Sequence, residues 1–300
     1  MNGVLVLDKP EGFTSFDAVA LMRRLCGERK AGHTGTLDPM ATGVLPILLG
    51  SGTKAIPFLE DTEKEYEAAF SFGVRMDTGD RTGTPVAHSE KKVTKEELEK
   101  ALPAFRGDIL QIPPMYSAVS VNGQRLYQLA RKGVEVERAP RPVRVEELEL
   151  LSFSEEEQTG KLRMRCSKGT YVRVLIEDLA AACGSVGHMT ALRRVAACGF
   201  TLEQAVTVET MRARAEEGTV QQVIRPVESL FEELCAVKVS SAQSVRFQNG
   251  GALFIARVPG CPKEDAARCR VYGPNQRFLG LGIVQAKEGV LAVLRLFPGE

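Results

Sequence analysis

A chain of 300 residues, 44% hydrophobic and 26% charged, has material for one large core or two smaller ones, which excludes a disordered segment. Its 28 glycines and 15 prolines stay below the roughly 25–30% share of low-complexity chains, and no apolar run reaches the ~18 residues needed to cross a bilayer. The net charge of +1, from 39 basic and 38 acidic residues, means that a polyanion would have to be met by local clusters rather than by the whole surface.

Val4 to Leu7 is interrupted by Asp8, too short a stretch for a signal-peptide core, so a cytoplasmic protein is expected. Residues 1–7 read as a short buried strand. Thr14 with Asp17 forms a capping box that opens a helix, with Phe16, Val19, Met22 and Cys26 on one side and Gly27 as its stop. From Tyr66 to Phe72 the apolar residues fall on even positions, the signature of a half-buried strand with Tyr66 at its leading end. Thr94 and Glu97 cap a short helix that stops near Pro103. Residues 119–125 carry Asn122-Gly123 between two strand-like segments, a hairpin signal, and the helical stretch that follows ends at Gly133.

Residues 161–166 alternate, with Leu162, Met164 and Cys166 on one face and Lys161, Arg163 and Arg165 on the other. The basic face, continued by Lys168 and Arg173 with no acid from 161 to 173, suits phosphate contacts, and a second cluster spans 131–144; the competing reading is solvated faces balanced by Glu-rich runs such as residues 60–67. After residue 170 the period turns helical: Val172, Ile176, Leu179 and Cys183 share a face, and Gly184 ends it. Beyond residue 234 the texture changes to short strands (268–272, 277–284 and 290–297) split by Gly-Pro-Asn and Lys-Glu-Gly turns, the pattern of a small barrel. Seven scattered cysteines without a C-x-x-C pair, and three histidines far apart, predict neither a disulfide framework nor a metal site.

The segment from Gly32 to Gly43, GHTGTLDPMATG, surrounds His33 and one acid, Asp38, with glycines. Gly32 and Gly35 allow unusual backbone or close approach of a ligand, and Asp38 before Pro39 is biased to an extended turn that can hold a carboxylate rigidly. The competing reading is an ordinary helix start, with Asp38 as cap and Pro39 at the first helical position. Neither this segment nor Gly50-Ser51-Gly52-Thr53-Lys54 has phosphate-loop spacing, and no cofactor is expected.

Residues 32–46, GHTGTLDPMATGVLP, resemble the catalytic motif of the TruB-type tRNA pseudouridine synthases. The segments GVLVLDKPEGFTS (3–15), RGDILQIPPMYSAVSVNGQRLYQLARKG (106–133) and CSKGTYVRVLIEDL (166–179) are similar to the family's other signatures, in the same order. The resemblance implies an α+β fold: a catalytic domain of mixed, mainly antiparallel sheet over residues 1–236 and a PUA-like RNA-binding domain over 237–300. It implies isomerisation of uridine 55 in the T loop of tRNA to pseudouridine, by a monomer without an obligatory protein partner. Asp38 matches the nucleophile, which attacks either the ribose C1′ or the base C6. His33 matches the histidine that enters the stack vacated by the flipped nucleotide. Tyr66 matches the tyrosine that stacks on the base and moves the C5 proton, and Arg173 the arginine that holds the carboxylate in a charge-assisted fork. Tyr171 and Leu192 match positions that line the base pocket, and Lys9 falls in the first motif, as structural support.

Two other readings compete. A catalytically silent tRNA-binding or folding protein of the same fold would lack Asp38 or Tyr66, and both are present. A glycosidase would need a second acid near Asp38; the one close in sequence, Glu28, sits among Arg24, Arg29 and Lys30.

Overall fold

A computed structural model of the chain describes residues 1–59, 63–121 and 123–297. Among them, a nine-stranded sheet runs in the order Gly3–Lys9, Thr42–Leu49, Gly187–Ala197, Lys64–Phe72, Thr159–Cys166, Arg141–Ser154 and Gly107–Gln111, with Ala31–His33 and Phe200–Thr201 appended beside it. Neighbours are antiparallel except Thr42–Leu49 and Gly187–Ala197, which meet in parallel at Arg193↔Thr42 and Arg194↔Gly43. That parallel contact demands Gly43: its φ is +105°, and a Cβ there would lie 2.2 Å from the Arg194 carbonyl oxygen. The outer strand Gly3–Lys9 is covered by a returning segment, with Val4 and Arg225 exchanging both backbone hydrogen bonds.

The alternation of residues 66–72 and 161–166 holds. Tyr66, Ala68, Phe70 and Phe72 are buried, as are Leu162, Met164 and Cys166, and the two strands pair with Met164 opposite Tyr66. The capping boxes at Thr14–Asp17 and Thr94–Glu97 open helices Ser15–Leu25 and Lys95–Ala101. On the first helix, however, the inward face is Ser15, Ala18, Val19 and Met22, and Phe16 is 77% exposed. Reading Phe16 with Val19 placed it one position off the stripe that meets the sheet. Helix Val172–Ala182 packs on the sheet through Val172, Ile176 and Leu179 and turns out of its helix at Gly184 (φ +73°). Strands Ser120–Val121 and Gln124–Arg125 pair as a hairpin, while Asn122 itself lies outside the described residues.

The tail forms a curled five-stranded sheet in the order Cys235–Lys238, Arg268–Tyr272, Phe278–Gln285, Val290–Leu296, Leu253–Phe254. It also contains a helix, Ser241–Gln248, opened by a Ser240–Gln243 capping box, so the tail is not made of strands alone. It has a core of its own, around Val237, Phe247, Val271 and Leu291, and a second one shared with the large sheet. Val4, Val44 and Leu48 of the large sheet share one buried cluster with Phe231 and with Phe278, Leu281 and Phe297 of the tail, and the Phe278 and Phe297 rings stack at 5.7 Å. Deleting residues from Val237 onward should therefore return several of these side chains to water, at roughly 1.5–3 kcal/mol for each large one. The expected result is a truncated chain with a sharply lowered melting temperature in calorimetry; an unchanged Tm would mean that the shared cluster contributes nothing.

Candidate active site

The loop after strand Ala31–His33 is pinned from beneath. Ser15 Oγ donates to Leu37 O (3.2 Å) and accepts from Leu37 N (2.8 Å). Lys9 is fully buried, and its Nζ donates to the carbonyls of Pro10 (2.9 Å), Phe13 (2.7 Å) and Pro39 (3.4 Å), tying the end of the first strand to the loop. Burial pulls the Lys9 pKa down to about 8, against the opposing pull of Asp38. Ala41 N donates to Asp38 O (3.0 Å) and closes a turn, and no helix begins at Pro39, so the capping reading of Asp38 fails. Neither Gly32 nor Gly35 takes a positive φ. They sit close to neighbouring side-chain ends: a Cβ would lie 2.9 Å from Ile56 Cδ1 at Gly32 and 3.1 Å from Lys64 Cε at Gly35, so a substitution would have to move these ends aside.

This loop presents Asp38 to Arg173, in the first turn of helix Val172–Ala182. Arg173 Nε lies 3.0 Å from Asp38 Oδ2, with the arginine side chain 5% exposed and the aspartate 34%. The expected fork is absent, because the guanidinium spends its other nitrogens elsewhere: Nη1 donates to Thr78 O (2.7 Å) and Nη2 to Tyr116 O (3.0 Å). Arg173 thus gathers three loops around one carboxylate. Burial in the cleft pushes the Asp38 carboxyl above its usual range; Arg173 opposes this and the charge of Asp80 adds to it.

Asp80 went unnoticed in the sequence. It is buried, and its Oδ2 lies 3.8 Å from Arg173 Nε, while Oδ1 accepts from Thr78 Oγ1 (3.0 Å), Thr82 N (3.0 Å) and Thr82 Oγ1 (2.6 Å). The signal was an acid in a Thr- and Gly-rich turn, DTGDRTG (77–83), but no spacing relates that turn to Asp38; the fold brings them together. A second acid therefore does stand near Asp38, and it is not Glu28, which pairs with the N-terminal amine at 2.8 Å. With one oxygen saturated by hydrogen bonds and the other turned to Arg173, Asp80 lacks the free carboxyl that a glycosidase acid needs.

Around the pair opens a cleft of about 560 Å³ lined by His33, Asp38, Tyr66, Tyr171, Arg173 and Leu192, among others. Six of the nine residues singled out from the sequence thus converge from the loop, three strands and the start of a helix. His33 Nδ1 accepts from Gly35 N (3.2 Å), an arrangement that suits the ring with its proton on Nε2, and burial together with the nearby Arg194 charge lowers its pKa. Tyr171 is held at the helix start by Gln111, whose Oε1 accepts from Tyr171 N (2.9 Å) and whose Nε2 donates to Tyr171 O (3.3 Å). Two lining hydroxyls, Thr34 Oγ1 and Ser117 Oγ, are buried without a hydrogen-bond partner among the described residues, as suits groups that wait for a ligand.

Arg163 and Arg165 do not reach this cleft. They stand on the opposite side of their strand from Leu162 and Met164 and are matched by acids: Arg165 pairs with Glu63 and Glu147 (2.6 Å each), and Arg163 lies 3.9 Å from Glu65. The basic stripe is a cross-strand ion-pair ladder, because its neighbouring strands place glutamates in register with it. Arg163→Ala with Arg165→Ala is accordingly expected to leave the slope of log K against log salt for RNA binding unchanged. A slope reduced by nearly one per arginine would restore the phosphate role.

Comparison with known proteins covers nearly the whole chain. Residues 23–172 match the TruB family pseudouridylate synthase N-terminal domain, 173–232 the tRNA pseudouridylate synthase B C-terminal domain, and 235–297 the pseudouridine synthase II TruB C-terminal domain. A protein of Stutzerimonas stutzeri named tRNA pseudouridine synthase B is 43% identical over 303 residues, covering 100% of this chain and 97% of the relative. A protein of the same name from Aromatoleum aromaticum is 44% identical over 282 residues, covering 94% and 88%. Among solved structures, a chain of a Cbf5-Nop10-Gar1 complex superposes with a TM-score of 0.76 at 25% identity, over 99% of this chain and 85% of that one. Matched by domain models across nearly its full length and by relatives above 40% identity, the chain belongs to the TruB family of pseudouridylate synthases.

Proposed function

We propose that this protein isomerises uridine 55 of the tRNA T loop to pseudouridine, acting in the cytoplasm as a monomer with no obligatory protein partner. The observation that carries the reading is the 3.0 Å pair of Asp38 and Arg173 in a cleft that also holds Tyr66, His33, Tyr171 and Leu192. Breaking and remaking a glycosidic bond calls for an ionised carboxylate free to form a covalent bond, and Asp38 keeps one exposed edge while Arg173 opposes its protonation. His33, neutral and at the mouth of the loop, fills the stack that the flipped nucleotide leaves. Tyr66 stacks on the extruded base and accepts the proton from C5, with Tyr171 and Leu192 as pocket walls and Lys9 as the brace beneath. The relatives named tRNA pseudouridine synthase B support tRNA as the substrate class, and the tail is assigned RNA contacts away from the T loop. No helix of the described residues is long and apolar enough to cross a membrane.

Incubation with a T-arm stem-loop RNA and nucleoside analysis tests the reading. The expected product is pseudouridine without free uracil; free uracil would indicate a hydrolase, and unchanged uridine a binding protein. Among the described residues no group of three or more His, Cys, Asp or Glu side chains is arranged to hold a metal ion. Turnover of the stem-loop is therefore expected to survive EDTA and dialysis, and a loss that zinc restores would overturn that.

A further inference from the structure

Beneath the cleft lies a cation that the chemistry above leaves idle. Arg194 is fully buried in strand Gly187–Ala197, directly across from Tyr66 in the antiparallel pairing with Lys64–Phe72. Its Nε donates to Val44 O (2.7 Å) and its Nη2 to Gly35 O (3.2 Å), so the head group is clamped between the sheet and the loop that carries Asp38. Nη1 is equally buried and completes no hydrogen bond with a described residue. It lies 3.6 Å from where a Gly35 Cβ would be, and the guanidinium adjoins the Tyr66 phenol. A buried donor left without an acceptor is costly, and folded proteins keep few of them.

We propose that Arg194 is a positioning residue for Tyr66, its unpaired Nη1–H closing on the Tyr66 oxygen when that oxygen is the phenolate that takes the C5 proton. The inference rests on the reading of Tyr66 as proton acceptor. In that step the C5–H bond breaks, its electron pair returns to the pyrimidine ring, and the proton passes to Tyr66 Oη, which becomes a neutral phenol. No oxidant, reductant or second acid is required. A phenolate is a far stronger hydrogen-bond acceptor than a phenol, so a contact that falls short of full hydrogen-bond geometry in the neutral state tightens in the charged one. The surroundings fit. Burial raises the phenol's pKa, Arg194 lowers it, and Cys166 from strand Thr159–Cys166 and Asp38 from the loop raise it. Arg194 is thus the group that favours the anion. Its charge also depresses the proton affinities of Lys9, His33 and Lys64, as expected of a cation held in place rather than solvated.

The test is single-turnover conversion of a T-arm stem-loop, with protium or deuterium at C5 of the target uridine, across a pH series. Arg194→Gln is expected to slow the neutral-pH rate by about 10- to 100-fold, less than the roughly 10²–10⁴ of a lost general base. The rise of rate with pH should move to higher pH, and a deuterium isotope effect larger than that of the native chain should appear, with RNA affinity unchanged. Arg194→Lys, which keeps the charge, should show the same changes in smaller degree, and it decides the matter if the glutamine variant does not fold. A uniform loss at every pH with no added isotope effect would overturn the proposal and leave Arg194 a packing element. Tyr66→Phe separates the two claims. If it abolishes turnover while Arg194→Gln behaves as native, only the Arg194 assignment falls; if it retains the native rate, the reading of Tyr66 falls and takes this one with it.

Discussion

Asp38→Asn is expected to reduce single-turnover conversion of a T-arm RNA by at least about 10³-fold, some 4 kcal/mol of barrier, while RNA affinity stays within about tenfold. The substitution is nearly isosteric, and its amide oxygen still accepts from Arg173 Nε, so the loop pinned by Ser15 and Lys9 should keep its course. What disappears is the anion that forms the covalent bond, and with it a whole step rather than part of one. A variant that kept more than about a hundredth of the native rate would show that Asp38 is not the nucleophile.

Arg173→Met should be nearly as severe and should cost stability as well. It leaves the Asp38 and Asp80 carboxylates facing each other without their shared cation and strips the carbonyls of Thr78 and Tyr116 of their donor. Removing one partner of a buried pair costs about 3–5 kcal/mol. The sign of the accompanying pH effect follows from the charges. Arg173 lowers the Asp38 proton affinity, against burial and Asp80, which raise it. Without Arg173 the carboxyl protonates at higher pH, and the acid limb of kcat/KM moves upward. Arg173→Lys restores a charge but not the three-way reach, so it should recover much of the limb position and little of the lost melting temperature. An acid limb that stays put in Arg173→Met, measured on the stem-loop, would mean that Asp38 does not titrate against Arg173.

Local signals were legible wherever a short-range rule governs them. The capping boxes at Thr14 and Thr94, the strict alternation of residues 66–72 and 161–166, and the glycine stops at Gly27 and Gly184 all appear where period and cap chemistry place them. Contacts between distant segments were not legible. Asp80 and Arg194 stand 42 and 156 positions beyond Asp38; a tight turn brings the first beside the Asp38–Arg173 pair and a parallel strand pairing brings the second to Gly35 of the same loop, and neither leaves a spacing to read. Arg163 and Arg165 follow the same rule: their alternation is visible along the chain, but the glutamates that pair with them come from neighbouring strands. Phe16 shows the limit of helical period over a single turn, where one position of error turns a core residue outward.

The aromatic cluster that joins the tail to the large sheet sets a length scale. Phe231, Phe278 and Phe297 lock together against Val44 and Leu48, the same strand whose first residues pack beside Arg194 and whose preceding loop carries Asp38. The tail consequently cannot swing as a bead on a tether. On the proposed reading, any RNA that the tail grips would be held at a constant offset from Asp38, as between the jaws of a calliper, and an RNA whose T loop and tail-binding region are set too far apart or too close should engage one jaw and miss the other.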